Sequence, residues 1–381
     1  MAFQGQRIKM ARLYRNMTAS ELADIINISK QSISQFENDI SKPKLETEFH
    51  IVRGLNFPRE FFHCEIADAK VSNTFFRALS STTSIDKKTQ EVKTQVIVQI
   101  YNFLCEYLDM PQLDFVDLNF ENEDIENIAL QLREYWGLGE APVPNMVNLI
   151  ENHGIITSAF DVESDKIDAF TQVHMTKQGP QYCVVVGNNK KSAVRRNFDI
   201  AHELGHIILH NNIGNIDELS AEQFRKIEDE ANEFAAAFLL PKNSFYNDLH
   251  KPWDLSYYIE LKRKWHVSIG AMLIRAKNLN RITNNEYQSL MKSMSYRKWR
   301  THEPLDDEFK VSPPTLFTSA IEILLENHIM SPHSFVSKLA AYGVPMYASE
   351  LEDLLALPEN TLYVEPRNTK ILKPIINVKE N

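Results

Sequence analysis

Arg195-Arg196-Asn197-Phe198-Asp199-Ile200-Ala201-His202-Glu203-Leu204-Gly205-His206-Ile207-Ile208-Leu209-His210 is the stretch on which the reading of the 381-residue chain turns. Phe198, Ile200, Ile207 and Leu209 surround an amphipathic helix. His202 and His206, four residues apart, lie on one face of it. Two imidazoles so placed can share one metal ion. Glu203 follows the first histidine and faces the open side of that ion, where a carboxylate can take a proton from water as the water attacks a carbonyl. His-Glu-x-x-His on a helix is the zinc-protease pattern.

Such a site needs a third protein ligand. His210 lies about 12 Å from His202 along a straight helix, and Zn–N bonds are about 2 Å, so one ion cannot take both. His210 is read instead as a structural or substrate-groove residue. The position ten residues after His202, where a returning chain would offer a third histidine, is Asn212. The ligand must come from another helix, expected from Asp217 to Leu240, with Ile227, Ala231, Phe234, Ala235 and Phe238 as its packing side. Within it Glu228 and Asn232 are four apart on one face. Glu228 can bind the metal, and Asn232 can accept the N–H of a ligating histidine. Asp229 and Glu230 are rivals for the ligand role, facing away from Asn232. Two His and one Glu suit Zn²⁺ or Mn²⁺.

Upstream, short strands are expected at Gly154–Thr157, Ala169–Thr171 and Tyr182–Val186, with a turn at Gly187-Asn188-Asn189. Val92, Val96, Ile100, Phe103, Leu104, Tyr107 and Leu108 follow a helical period over Lys87–Leu108. Downstream, Leu255–Leu279 reads as a pair of helices around His266-Val267. After residue 300, short apolar stripes predict a small helical tail, with a strand at Leu362-Tyr363-Val364.

The net charge of −10 argues against a generic nucleic-acid binder, but it is unevenly distributed. Residues 1–64 hold nine basic and seven acidic residues, and Lys262–Arg300 hold ten basic residues and one acid, Glu286. Lys262, Arg263, Lys264 and Arg275 are therefore expected to form a basic surface for DNA backbone or an acidic partner. No apolar run is long enough for a membrane span, and the N-terminus lacks the blocks of a signal peptide. Three scattered cysteines form no disulfide or zinc-ribbon pattern, so the expected location is cytoplasmic.

Near the N-terminus, Thr18 and Glu21 form a capping box ahead of Leu22, Ala23, Ile25 and Ile26. Asn27-Ile28 turns, and Ser29 caps a second short helix, Lys30–Glu37, with Ile33 and Phe36 inward. Such a pair can set its second helix in the DNA major groove. Lys30, Gln31, Ser32, Ser34 and Gln35 carry polar heads that can reach base edges and phosphates.

Two resemblances follow from these residues. MTASELADIINISKQSISQFENDISKPKLETEFHIVRGL resembles the Cro/phage-repressor (XRE family) class of helix-turn-helix domains. One departure is Ala19, where the class usually has a phosphate-contacting Gln. RRNFDIAHELGHIILH, followed after a gap by IEDEANEFAAAFLLP, resembles the ImmA/IrrE family of metallo-endopeptidases, with Asn197-Phe198-Asp199 where that family usually has Arg-Phe-Thr. The resemblance implies a gluzincin-like site with His202, His206 and Glu228 as ligands of one zinc ion, and Glu203 as general base. It also implies a repressor protein as substrate, either separate or this chain's own N-terminal domain.

The fold class expected is α+β, mostly helical. A five-helix helix-turn-helix domain spans 1–66 and a helical spacer 67–139. A peptidase domain with a small sheet spans 140–300, including the basic segment 255–282, and a small regulatory or interaction domain spans 301–381. The function expected is a DNA-binding transcriptional regulator that cleaves a repressor in a stress, phage or mobile-element response. Its partners are a DNA operator and the repressor, a homodimer is a compatible assembly, and no membrane is involved. The alternative is a non-proteolytic transcription factor or antitoxin-like protein that uses the peptidase fold as a sensor or partner platform. A closed structural zinc site is a third option.

Overall fold

The structure, a computed structural model, describes residues 3–65, 70–76, 83–115, 118, 120, 123–160, 169–176, 179–187, 192–211, 213 and 219–363. Asn188, Asn189, Asn212, Asp217 and Val364, named above, lie outside the described residues.

The N-terminal bundle comprises α1 (Gly5–Tyr14), α2 (Ala19–Ile25), α3 (Lys30–Glu37), α4 (Leu45–Leu55) and a single 3₁₀ turn, Arg59–His63. Its punctuation is local chemistry. Thr18 Oγ1 accepts from the Glu21 N–H, while the Glu21 carboxylate accepts from the Thr18 N–H, so α2 starts on a complete capping box. Ser29 accepts from the Ser32 N–H to start α3. Ile8, Leu22, Ile33, Leu55 and Phe61 fill the interior. Arg12 grips the Glu37 carboxylate through Nε and Nη2 at 2.6 and 2.9 Å, tying α1 to α3.

Then follow β1 (Lys70–Phe76), α5 (Ser84–Leu104), α6 (Ile125–Tyr135), α7 (Met146–Asn152), β2 (Ile156–Phe160), β3 (Ala169–Thr176) and β4 (Gly179–Gly187). The sheet order is β1-β3-β4-β2. β3 pairs antiparallel with both β1 and β4, and β2 runs parallel to β4. Next come α8 (Ala193–Leu209), α9 (Ala221–Leu239), α10 (Lys242–Asp248), α11 (Tyr257–Trp265), α12 (Ile269–Asn278) and α13 (Asn284–Tyr296). The last described helices are α14 (Leu316–Glu326), α15 (Pro332–Tyr342) and α16 (Ala348–Leu354). Leu362 and Tyr363, expected to begin a strand, take none. The class is α+β and mostly helical.

The sheet is a wall between two cores, because alternate strand residues point to opposite faces. Tyr182, Val184 and Val186 of β4 join α6–α13 on one side. Cys183 and Val185 join α5, the N-terminal bundle and α14–α16 on the other. Residues 67–139, expected as a helical spacer, are therefore corrected. β1 is a strand of the sheet, and α5 is a central element in which Val96, Ile97, Val98, Ile100, Phe103 and Leu104 are all buried. A helix apolar on most of its circumference is an interior helix.

The expected basic surface is also corrected. Lys262 is fully buried, its Nζ 2.9 Å from Glu303 Oε2 and 2.7 Å from Asp306 Oδ1. Arg275 is buried too, donating to both oxygens of Glu126 at 2.8 and 2.5 Å and to the Leu240 carbonyl. Only Arg263 and Lys264 face solvent, and Lys264 pairs with Asp248 at 2.6 Å. The acids that neutralise the segment lie outside it in sequence, so a local charge count misses them. Glu303 and Asp306, expected in the C-terminal domain, close the α11–α12 pair, with Glu303 accepting from the Ile269 and Gly270 N–H groups.

Lys262→Ala leaves two carboxylates buried without their cation, and an expected cost of about 3–5 kcal/mol is measurable by urea unfolding. Burial alone would raise the Asp306 carboxyl, but hydrogen bonds from Lys262 and the Glu303 N–H hold it below its ordinary value. Because the folded value is the lower one, this stabilisation is present above the unfolded carboxylate range of about 4 and is lost as pH falls through the folded value. The acid-side slope of stability against pH should accordingly be shallower in Lys262→Ala.

Candidate metal centre

α8 is built by its burial pattern. Ile200, Ala201, Leu204 and Ile207 are almost completely buried against the sheet and α9, and this turns His202 and His206 together into the interior. α9 starts on a capping box, Ser220 with Gln223, and packs Ala231, Phe234, Ala235 and Phe238 inward. Gly205 lets the two helices touch: a Cβ there would lie 3.1 Å from the Phe234 ring and 3.2 Å from the Ala231 backbone.

The contact brings ligand atoms of His202, His206 and Glu228 within 4.8 Å of one another. The two Nε2 atoms are 3.0 Å apart, and Glu228 oxygens lie 3.5 Å from His202 Nε2 and 3.3 Å from His206 Nε2. Separations of that size are what donors about 2 Å from one ion have. His202 and His206 are buried, whereas Glu228 is partly exposed.

Proton positions fit a metal as well. His202 Nδ1 is 3.1 Å from Asn232 Oδ1, an atom that only accepts, so the proton sits on Nδ1 and the Nε2 lone pair points toward His206 Nε2 and Glu228. His206 Nδ1 is 3.1 Å from His210 Nδ1, and His210 Nε2 is 3.1 Å from the Glu230 carboxylate. Burial holds the His206 imidazole down to about 4, so it is neutral at pH 7. Burial opposes charge on Glu228, but hydrogen bonding from the imidazoles beside it more than offsets that and holds its carboxyl at about 2; a bound ion would take the place of the donated Nε2 proton. Neutral imidazoles and an ionised carboxylate are the protonation states that coordination requires. The donor set therefore fits one zinc or manganese ion.

Glu203, 1% exposed, accepts a 2.7 Å hydrogen bond from Thr171 Oγ1 on β3. Sequence spacing gave no sign of Thr171, because the contact crosses from strand to helix. His210 did leave a signal, a histidine one turn beyond His206. The structure gives it a partner on each ring nitrogen, and Glu230 meets it instead of the ion site.

In the N-terminal bundle, Lys30, Gln31 and Ser34 are exposed on α3, and Ser32 and Gln35 are half-buried. Ser32 Oγ lies 2.9 Å from the capping Ser29 Oγ. Ala19 starts α2 and packs against the core, partly buried. Asn197, where the sequence departs from the Arg-Phe-Thr pattern, is buried and bonded to the Pro144 carbonyl and the Met146 N–H, away from the metal donors.

Residues 150–277 match a peptidase family model described as the IrrE N-terminal-like domain. Residues 8–62 match the helix-turn-helix model. Among solved structures, a Mycobacterium tuberculosis transcriptional regulator is similar at 19% identity over 49% of this chain and 51% of that chain, with a TM-score of 0.29. This chain thus spans about half the length of that regulator. No curated protein matches the chain.

A branched side chain at position 205 should part α8 from α9. Gly205→Val is expected to lower stability by about 1–3 kcal/mol and to weaken zinc binding, read by urea unfolding and by competition with a chelator. An unchanged midpoint would mean that the helix contact tolerates the added bulk.

Proposed function

We propose that this chain, which joins a helix-turn-helix domain to an IrrE-like metallopeptidase domain, is a DNA-binding regulator that hydrolyses a peptide bond in a repressor protein. The observation that carries this reading is the convergence of the His202 and His206 Nε2 atoms on the Glu228 carboxylate, with Glu203 next to His202 in the chain. His202, His206 and Glu228 would hold one zinc or manganese ion, which when bound polarises a peptide carbonyl and makes water nucleophilic at neutral pH. Glu203 takes the proton of the attacking water and passes it to the departing amine. Thr171 orients Glu203 through the 2.7 Å bond, and Asn232 orients His202. A protein that used the fold only as a platform would have no need of a carboxylate held at that position, which favours the enzyme over the non-proteolytic alternative.

A second reading has an observation of its own. β1 follows the N-terminal bundle and runs antiparallel along β3, with Phe75 opposite Thr171. Thr171 is the residue whose hydroxyl holds Glu203. The polypeptide between the helix-turn-helix domain and α5 therefore passes one strand away from the Glu203 partner. This favours the chain's own linker as a substrate in cis, beside a separate repressor in trans.

Glu203→Gln should keep zinc affinity and lower cleavage by at least about 10²-fold. The assay incubates zinc-loaded protein with candidate repressors and follows products by mass spectrometry. Concentration-independent release of an N-terminal fragment marks the cis route. Cleavage retained by Glu203→Gln sinks the role given to that residue. For the DNA side, Gln31→Ala is expected to lose about 1–3 kcal/mol of discrimination at one base pair. Lys30→Ala should weaken binding across sequences and reduce the salt slope by about one. Both are read by titration of a selected operator at several salt concentrations.

A further inference from the structure

We propose that His210 and Glu230 form a hydrogen-bonded relay that fixes the His206 proton on Nδ1 and aims its Nε2 lone pair at the metal, making His210 a positioning residue of the centre. The proposal rests on the metal-centre reading above.

The geometry is specific. His210 caps α8: its N–H still bonds to the His206 carbonyl at 3.0 Å, while its backbone has left the helical region, at φ −122° and ψ 11°. Its ring, 3% exposed, packs on that of His206 with centroids 5.2 Å apart. The Glu230 carboxylate, 3.1 Å from His210 Nε2, can only accept while ionised, so that nitrogen carries the proton. Lys226, one turn earlier on α9, lies 3.7 Å from the other Glu230 oxygen. A neutral imidazole protonated on Nε2 has a bare Nδ1, and that atom faces His206 Nδ1 at 3.1 Å. When an ion holds His206 Nε2, the ring proton is on Nδ1, and His210 Nδ1 is the acceptor placed to receive it. The reverse assignment would set a bare His210 Nε2 against the Glu230 carboxylate and, with an ion on His206 Nε2, two Nδ1 protons against each other.

The arrangement parallels that of His202, where Asn232 performs the same task in one step. A ligand histidine that donates its other N–H to an acceptor is fixed in orientation and made more basic. α9 thus controls all three ligands: Glu228 directly, His202 through Asn232, and His206 through Glu230 and His210.

The test is zinc affinity of the full chain, measured by competition with a chromophoric chelator. His210→Phe keeps a ring of similar size but no acceptor, and should weaken zinc binding about 10–100-fold. His210→Gln, whose side-chain oxygen can accept from His206 Nδ1, should recover most of that loss. Side-chain nitrogen NMR of the zinc-loaded wild type, which needs no variant to fold, should show His210 protonated on Nε2 and bare at Nδ1. Equal affinity in wild type and His210→Phe, equal losses in the Phe and Gln variants, or His210 protonated on Nδ1 would each overturn the relay. A wild type that binds no zinc overturns the metal-centre reading and the relay with it. Zinc binding that needs Glu228 but is indifferent to position 210 removes the relay alone.

Discussion

A Cβ at position 205 would meet the Ala231 backbone at 3.2 Å, so a missing side chain sets the distance between α8 and α9. Both bridging hydrogen bonds depend on that distance. His202 meets Asn232 on one side of the contact, and His210 meets Glu230 on the other. Asparagine is a short side chain. Moving α9 outward by an ångström would lengthen the 3.1 Å bond to His202 beyond hydrogen-bonding range. The glycine makes no bond to any ligand atom, yet the ligand geometry follows from it.

The legible part of the site was the part carried by helices. His202 with His206, and Glu228 with Asn232, are pairs spaced four apart, and a helix turns that spacing into a shared face. What was not legible depends on contacts between distant segments. Thr171 reaches Glu203 from a strand 32 residues earlier. Arg275 is neutralised by Glu126 from 149 residues away, and Lys262 by Glu303 and Asp306 from beyond the segment's end. A run of ten basic residues therefore looked like a surface when two of its members were interior cations. α5 shows the same limit for packing. Its period announced a helix, but its burial on both sides depends on a sheet and a C-terminal bundle that its own sequence does not specify.

The C-terminal helices tie the N-terminal bundle to the rest. Arg15, which caps α1, pairs with Glu350 of α16 at 2.8 Å, and Arg7 donates to the Gly343 carbonyl at 3.1 Å. Thr89 of α5 donates to the Leu13 carbonyl at 2.8 Å. The apolar interior of the bundle is continuous with that of α5 and α14–α16. α1 is thus an internal element of the whole chain, while α3 keeps Lys30 and Gln31 in solvent.

That continuity bears on which substrate would matter for regulation. Cutting the chain at β1 removes a covalent tie but leaves these contacts in place. The partly exposed Arg15–Glu350 pair contributes little, about 0–1 kcal/mol. The shared apolar surface contributes more, since each fully buried aliphatic or aromatic side chain is worth about 1.5–3 kcal/mol. A bundle cut in cis would stay docked unless that surface also opened. The packing therefore limits cis cleavage at β1 to loosening a domain that its own core still holds.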